Sequence, residues 1–147
     1  MHFGKQYRYR FGDIDHAGIA YYPRFFHYFH CAFEDWWADG LGTAYPELMG
    51  VHDLGFPVVN VDADFFAPIR YGDDPSVHVG VLRAGKSSLT LGFWMQLEDA
   101  TPLVRCRARI TTVAASMANG AKRELPERWR AELLRFQLDA GEFPERP

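Results

Sequence analysis

The stretch Pro23 to Gly40, PRFFHYFHCAFEDWWADG, decides the fold of this chain. Its large apolar residues recur at helical spacing and form one wide face: Phe25, Phe26, Phe29, Phe33, Trp36 and Trp37. Pro23 suits the first turn of a helix, where an N–H would be unpaired anyway, and Gly40 or Gly42 suits its end. So heavy an aromatic face needs a large covering surface, which a β-sheet provides most simply.

Alternating patterns on both sides of this helix predict that sheet. Residues 5–11 alternate between aromatic and polar side chains, which indicates a half-buried strand with Tyr7, Tyr9 and Phe11 on one face. Longer alternating runs follow the helix, at 59–65, 77–81, 89–97 and 104–110. Each carries apolar residues at every second position, as a strand with one buried face does.

Turn-forming residues separate these later runs, at 71–75, 84–87 and 99–102. Connections this short favour antiparallel pairing, because a parallel crossover needs a longer segment. The sequence therefore predicts an α+β fold in one domain, 1–147, with an antiparallel sheet of about five strands wrapped around one long helix.

Two shorter helices complete the predicted fold. One is expected around 45–51, between the long helix and the second strand. The other is an amphipathic C-terminal helix over 126–136, which places Trp129, Leu133 and Phe136 on one side.

Composition narrows the setting and the class of partner. With 48% apolar residues and a net charge of −3, the chain is globular and gives no reason to expect nucleic acid or a membrane as a partner. The segment after Met1 lacks the positive and apolar stretches of a secretory signal. Cys31 and Cys106 match no paired metal-ligand spacing, so we expect no metal and a reducing, cytoplasmic setting.

The segment that enters the helix, Phe11 to Pro23 (FGDIDHAGIAYYP), carries the candidate chemistry. Asp13 and Asp15 lie in a loop directly before a helix start, where free backbone N–H groups and the positive end of the helix dipole are found. A carboxylate beside such donors suits acyl transfer, with the N–H groups holding the oxyanion. The alternative, that one acid only caps the helix, remains open.

This segment resembles the signature of the 4-hydroxybenzoyl-CoA thioesterase family of hotdog-fold proteins. Asp13, Asp15, Gly18, Tyr21 and Tyr22 fill the family's acid-x-Asp-x-x-Gly-x-x-aromatic-(Tyr/His) pattern. The resemblance continues to about Val113, through the stretch 55–59 that opens the second strand and the turn at 71–73.

The resemblance implies an acyl-CoA thioesterase that needs no cofactor, since coenzyme A is part of the substrate. Asp15 would be the nucleophile or general base, the Tyr22 amide would polarise the thioester carbonyl, and Gly18 would shape the loop. Family sites lie between subunits, so Asn60 and Asp62 would come from a facing chain. A homodimer that pairs into a homotetramer is therefore expected.

Two departures from the family pattern bear on the substrate. Many relatives carry His where this chain has Tyr22, so a His-assisted mechanism is not available there. His30 occupies the helix position at which the hydroxybenzoyl type reads the ring hydroxyl with an acid. The acyl group is therefore expected to be aromatic or short rather than 4-hydroxybenzoyl itself, with Tyr21 and nearby phenylalanines lining its pocket.

Three other groups of residues have competing interpretations. His27, His30 and Glu34 lie at metal-sharing spacing on the helix, but a substrate contact or an interface suits His30 better. Arg83, Lys86 and Ser87 at a hairpin turn hold the CoA phosphates if the resemblance extends to them; otherwise they form a solvated hairpin tip. Arg105, Arg107 and Arg109 are most simply interpreted as a solvated sheet face.

Two functions other than hydrolysis remain open. The same scaffold also serves acyl dehydratases, although their arrangement of a His and an acid is not evident in this chain. A non-catalytic acyl-CoA-binding protein would have the same fold without using Asp15, since fold alone does not determine function.

Overall fold

The computed structural model describes residues 1–98 and 103–146, so the turn predicted at 99–102 lies outside the described residues. The long helix is confirmed: α1 spans Pro23–Asp35 and continues as a wider π-helical turn over Trp36–Gly40. Its apolar face is buried except at Phe26, which is partly buried; Phe29 is 1% exposed, and Trp36 and Trp37 are fully covered. None of the described helices is both long and apolar enough to cross a bilayer.

One antiparallel sheet covers this face, as predicted. Its strands are β1 (Phe3–Gln6), β2 (Val58–Phe65), β3 (Ser76–Ala84), β4 (Ser88–Leu97) and β5 (Leu103–Val113), in the order β1-β3-β4-β5-β2. The two shorter helices are confirmed as α2 (Tyr45–Gly50) and α3 (Glu127–Leu134). Strands β1 and β2 therefore form the two edges of the sheet, and β2 has one side without a partner among the described residues.

The predicted bounds of the first strand, 5–11, are wrong. Strand β1 ends at Gln6, although Tyr7 and Tyr9 still donate N–H groups to the carbonyls of Pro75 and Asp73. Tyr9 is fully buried as the alternation predicted, whereas Phe11 is 82% exposed. The difference arises because a 3₁₀ turn begins at Phe11 and reverses the direction of its side chain.

The C-terminal segment 136–146 pairs with β3 at Gln137 and then covers part of the outer face of the sheet with Leu138 and Phe143. Val81 exchanges two backbone hydrogen bonds with it, to the Phe136 carbonyl (2.8 Å) and from the Leu138 N–H (2.9 Å). Gly80 and Gly92 are cross-strand partners, and together they leave a slot that the side chains of Leu138 and Phe143 fill.

Arg105, Arg107 and Arg109 of β5 were predicted to form a solvated sheet face. That prediction is wrong at Arg107, because the C-terminal segment covers it. Arg107 is 6% exposed. Its guanidinium donates to Asp64 (2.9 Å) and to the Pro144 carbonyl, and it lies over the ring of Phe143. The sequence pattern of β5 alone could not show this cover, because it comes from the far end of the chain.

We expect Gly80→Ala to destabilise the protein by about 1–3 kcal/mol, because overpacking displaces neighbouring side chains. The new Cβ would lie 2.4 Å from Cδ2 of Leu138. Urea unfolding measures the change, and Gly50→Ala, which has open space around it, is the matched control. Adding Leu138→Ala should recover part of the loss; equal losses in Gly80→Ala and Gly50→Ala would contradict this packing.

Candidate active site

The loop before α1 is a narrow hairpin that the backbone fixes at several points. Ile14 and Ala20 form an antiparallel bridge, Asp15 donates its N–H to the Ile19 carbonyl (2.9 Å), and Tyr21 donates to the Asp13 carbonyl (2.9 Å). Ala20 also donates to the Ile69 carbonyl (2.8 Å), which ties the hairpin to the segment before β3. The hairpin therefore holds its two acids in a fixed relation to the start of α1.

Asp13 is the structural acid of the pair. It is 6% exposed. Its carboxylate accepts the Arg10 N–H (2.8 Å) and the Tyr28 hydroxyl (2.7 Å), and it lies 3.5 Å from the Arg24 guanidinium. Burial, followed by this hydrogen bond, raises the pKa of Tyr28 to about 12. With its oxygens engaged by the loop and by α1, Asp13 anchors the hairpin to the helix.

Asp15 lies at the tip of the hairpin and is half-buried. Its Oδ1 accepts the Ala17 N–H (2.8 Å), and its carbonyl accepts the Gly18 N–H (3.0 Å). Gly18 has a φ of +79°, the left-handed conformation that glycine adopts without a steric penalty. Within the described residues, Oδ2 of Asp15 accepts no hydrogen bond and the carboxylate has no ion-pair partner, so one oxygen is free for chemistry.

The start of α1 offers a backbone donor beside this loop. Pro23 has no N–H, and the N–H of Tyr22 donates to no residue in the described part of the chain. The next donors are engaged, since Arg24 bonds the Tyr21 carbonyl (2.8 Å) and Phe25 the Tyr22 carbonyl (3.2 Å). The Tyr22 amide is thus a free donor at the positive end of a helix of 13 residues.

An apolar cavity of about 210 Å³ lies between α1 and the sheet. Phe26 lines it one helical turn after Tyr22. The rest of its wall comes from α1, the segment before β2, and strands β2, β4 and β5: Phe29, His30, Phe33, Phe56, Val58, Val61, Leu91, Phe93, Ile110 and Thr112. Among the described residues that line it, only His30 and Thr112 contribute polar side chains. The cavity suits an apolar group that carries at most a few polar atoms.

The structure places His30 at the cavity and Tyr21 outside it, although both were predicted to contact the substrate. His30 lines the cavity, and its ring lies 2.9 Å from Glu34. His27 instead contacts Cys31, so the two histidines belong to separate pairs. Tyr21 is 51% exposed and does not line this cavity; its ring lies against that of Tyr22. The phenylalanines of α1, rather than Tyr21, form the wall.

Asn60 and Asp62 lie on the side of the sheet away from α1. Strand register pairs Asp62 with Arg109, and both belong to the outer face, whereas Val61 pairs with Ile110 on the inner face. Asp62 also lies 3.9 Å from Arg146 of the C-terminal segment. Within one chain, these two residues are not brought to the Asp15 hairpin.

Arg83, Lys86 and Ser87 lie at the opposite end of the sheet from that hairpin. The Asp15 hairpin joins the sheet near the start of β3, whereas these three residues surround the end of β3 at Ala84. Lys86 pairs with Glu124 (2.8 Å), and the carbonyl of Ser87 accepts the Ala114 N–H (2.7 Å). This turn is therefore already bound to the C-terminal part of its own chain.

The comparisons with known proteins identify the family. Residues 9–133 match the model described as the thioesterase-like superfamily. A 1,4-dihydroxy-2-naphthoyl-CoA hydrolase from Synechocystis sp. is 26% identical over 82% of this chain and 86% of its own length. A protein of the same name from Prochlorococcus marinus is 31% identical over 67% and 70%.

A solved gentisyl-coenzyme A thioesterase has the same fold, with a TM-score of 0.76, 24% identity, and coverage of 86% of this chain and 98% of that one. The chain belongs to the thioesterase-like superfamily, and its fold is the hotdog thioesterase fold. The predictions of that fold and of a thioester hydrolase are confirmed at this level. The narrower resemblance to 4-hydroxybenzoyl-CoA thioesterases stays a prediction.

We expect Tyr28→Phe to destabilise the protein by about 1.5–3 kcal/mol, the usual contribution of a hydrogen bond to a charged group. The variant leaves the buried Asp13 carboxylate without one of its donors. Urea unfolding measures the loss, with Tyr21→Phe at an exposed ring as the control. Equal stabilities of the two variants would show that Asp13 does not anchor the hairpin through Tyr28.

Proposed function

We propose that this protein hydrolyses an acyl-CoA thioester to the free acid and coenzyme A, with an aromatic or short acyl group. The observation that carries the proposal is the hairpin that fixes the half-buried Asp15, with one free carboxylate oxygen, just before the free Tyr22 amide. The names of relatives support the substrate class, since they specify dihydroxynaphthoyl-CoA and gentisyl-CoA.

In this mechanism the thioester carbonyl oxygen accepts the Tyr22 N–H, and the helix dipole stabilises the negative charge that develops on it. The Asp15 carboxylate then follows one of two routes. It attacks the carbonyl carbon and forms a mixed anhydride that water cleaves, or it removes a proton from a water that attacks the same carbon. Both routes release the CoA thiolate, which is protonated, and the free acid.

The apolar cavity is the proposed acyl site. Its lining residue nearest to Tyr22 along α1 is Phe26, about 6 Å away at 1.5 Å per residue, so we place the acyl group of the polarised thioester in this cavity. His30 lies on the same side of α1, two turns beyond Tyr22, and supplies a polar group that a ring substituent can contact. A planar apolar acyl group with a hydroxyl fits this lining.

A second subunit is proposed to complete the site. Val58, Val59 and Val61 are 44–61% exposed on the open edge strand β2, where pairing with another chain would cover them. Asn60 and Asp62 of that strand face away from α1, and the basic turn at 83–87 lies at the other end of β3 from the Asp15 hairpin. A partner in a homodimer is the proposed source of any contact that these residues make with the Asp15 site, and two dimers are proposed to form a tetramer.

The decisive prediction concerns Asp15. We expect Asp15→Asn to lower kcat by about 10²–10⁴-fold, the usual contribution of a positioned acid–base group, while the unfolding midpoint changes little. Release of free thiol from a panel of aromatic and aliphatic acyl-CoAs measures the rate, and His16→Gln, at the exposed neighbour, is the control. Full activity of Asp15→Asn would remove the mechanism.

The same assay separates the alternative functions. An acyl dehydratase adds or removes water without freeing a thiol, so enoyl-CoA consumption without thiol release would identify one. A non-catalytic binder would retain acyl-CoA and consume none of it.

A further prediction concerns the acyl cavity. Phe26→Trp should reduce kcat/KM for a bicyclic aromatic acyl-CoA at least tenfold relative to butyryl-CoA, because the larger side chain fills part of the cavity. Phe26→Leu should shift the same ratio the other way. Leu134→Trp, on the exposed side of α3, is the control. An unchanged ratio in both Phe26 variants would place the acyl group elsewhere.

A further inference from the structure

Phe56 lines two cavities of this chain. One is the acyl cavity of about 210 Å³ between α1 and the sheet. The other, which we call the α2 groove, has a volume of about 420 Å³ and is lined among others by Tyr45, Met49, Pro57 and Met117. Of the described residues that line these two spaces, Phe56 alone is common to both. Its side chain therefore separates two apolar spaces.

Phe56 lies at the end of the acyl cavity remote from the Tyr22 amide. Its ring centroid is 6.1 Å from that of Phe33 and 5.5 Å from that of Trp37. Along the helix at 1.5 Å per residue, Phe33 is about 16 Å beyond Tyr22, whereas Phe26 is about 6 Å beyond it. An acyl group whose carbonyl is bound at Tyr22 therefore passes Phe26 first and meets Phe56 last.

The position of Phe56 is fixed from both sides. Gly55 donates its N–H to the Ala115 carbonyl (2.9 Å) and accepts the Ala115 N–H (3.0 Å), and the Pro57 carbonyl accepts the Val113 N–H (3.1 Å). The ring is 6% exposed and stacks on Trp37, which is fully buried. Because its chain neighbours are hydrogen-bonded and its ring is packed, Phe56 is a fixed wall rather than a mobile flap.

The α2 groove on the other side of this wall could accept further apolar atoms. Tyr45 completes the partition beside Phe56, since its ring centroid lies 5.3 Å from that of Phe33. None of the described residues that line the groove carries a charge. Met117 is 51% exposed at its rim, with its sulfur against Gly55. Removal of the Phe56 ring would therefore connect the acyl cavity to a second apolar space.

We propose that Phe56 sets the longest acyl group that this protein accepts, because it closes the acyl cavity before the α2 groove. This inference rests on the proposed function and narrows its substrate class. A cavity of about 150 Å³ holds a benzene molecule, so about 210 Å³ suits a ring with substituents or a short chain. Long straight chains are excluded by the ring of Phe56, which determines specificity and takes no part in the chemistry.

The test is a series of straight-chain acyl-CoAs from butyryl to myristoyl, with kcat/KM measured for each by thiol release. In the wild type we expect kcat/KM to rise about fourfold for each added methylene, the gain from burying it, and to stop rising at the length that reaches Phe56. Phe56→Ala should move this limit to chains longer by about two or more carbons, because the added methylenes are then buried in the α2 groove.

Phe136→Ala is the matched control. Phe136 is also 6% exposed, its ring lies against Trp36 as that of Phe56 lies against Trp37, and it lines neither cavity. Its limit should be that of the wild type. Phe56→Leu, which keeps more of the packing, should shift the limit in the same direction if Phe56→Ala does not fold. Adding Met117→Trp to Phe56→Ala should fill the α2 groove and restore the wild-type limit, whereas Met117→Trp alone should not change it.

Calorimetric binding of S-alkyl-CoA thioethers of the same lengths tests the wall without turnover, and Kd should show the same limit and the same shift. An unchanged limit in folded Phe56→Ala or Phe56→Leu would overturn the inference. An equal shift in Phe136→Ala, or a shift that Met117→Trp does not reverse, would also overturn it. Failure of the proposed function is distinct, because the wild type would then release no thiol while the thioether series still decides the role of Phe56.

Discussion

The packing of the aromatic face of α1 against the inner face of the sheet is the constraint on which the site depends. It buries Phe29 almost completely, with its ring against that of Phe93 in β4. Trp36 and Trp37, in the π-helical turn that continues α1, are fully buried by other neighbours: Phe56, Trp129 and Phe136. Burial of each such side chain contributes about 2–3 kcal/mol. Because α1 is held this firmly, the position of its first turn is fixed. Asp13 transmits that position to the hairpin through Tyr28, so that Asp15 and the Tyr22 amide are preorganised.

Much of the fold follows from residue patterns because one physical effect dominates each element. The aromatic stripe at helical spacing predicted α1, and alternation predicted the four strands from β2 to β5. The first strand was misplaced because alternation continues through Phe11, although the chain has already turned there. Alternation records the burial of side chains and does not show where backbone pairing stops.

The site was only partly accessible to sequence reasoning. The Asp-x-Asp loop marked the hairpin, but the spacing of two acids does not show which one is buried; only the contacts of Asp13 with Tyr28 and Arg10 separate their roles. The cavity wall combines α1 with Phe56, β2, β4 and β5, so no local pattern reveals it. Arg107 is buried by residues nearly forty positions later in the chain, and nothing in the sequence of β5 itself predicts that burial.

The most direct test of the account is a crystal structure of the Asp15→Asn variant with an uncleaved aromatic acyl-CoA. We expect the thioester carbonyl oxygen at about 2.7–3.1 Å from the Tyr22 nitrogen, the side chain at position 15 facing the carbonyl carbon, and the acyl group beside Phe26. A thioester bound with its carbonyl away from the start of α1 would contradict it.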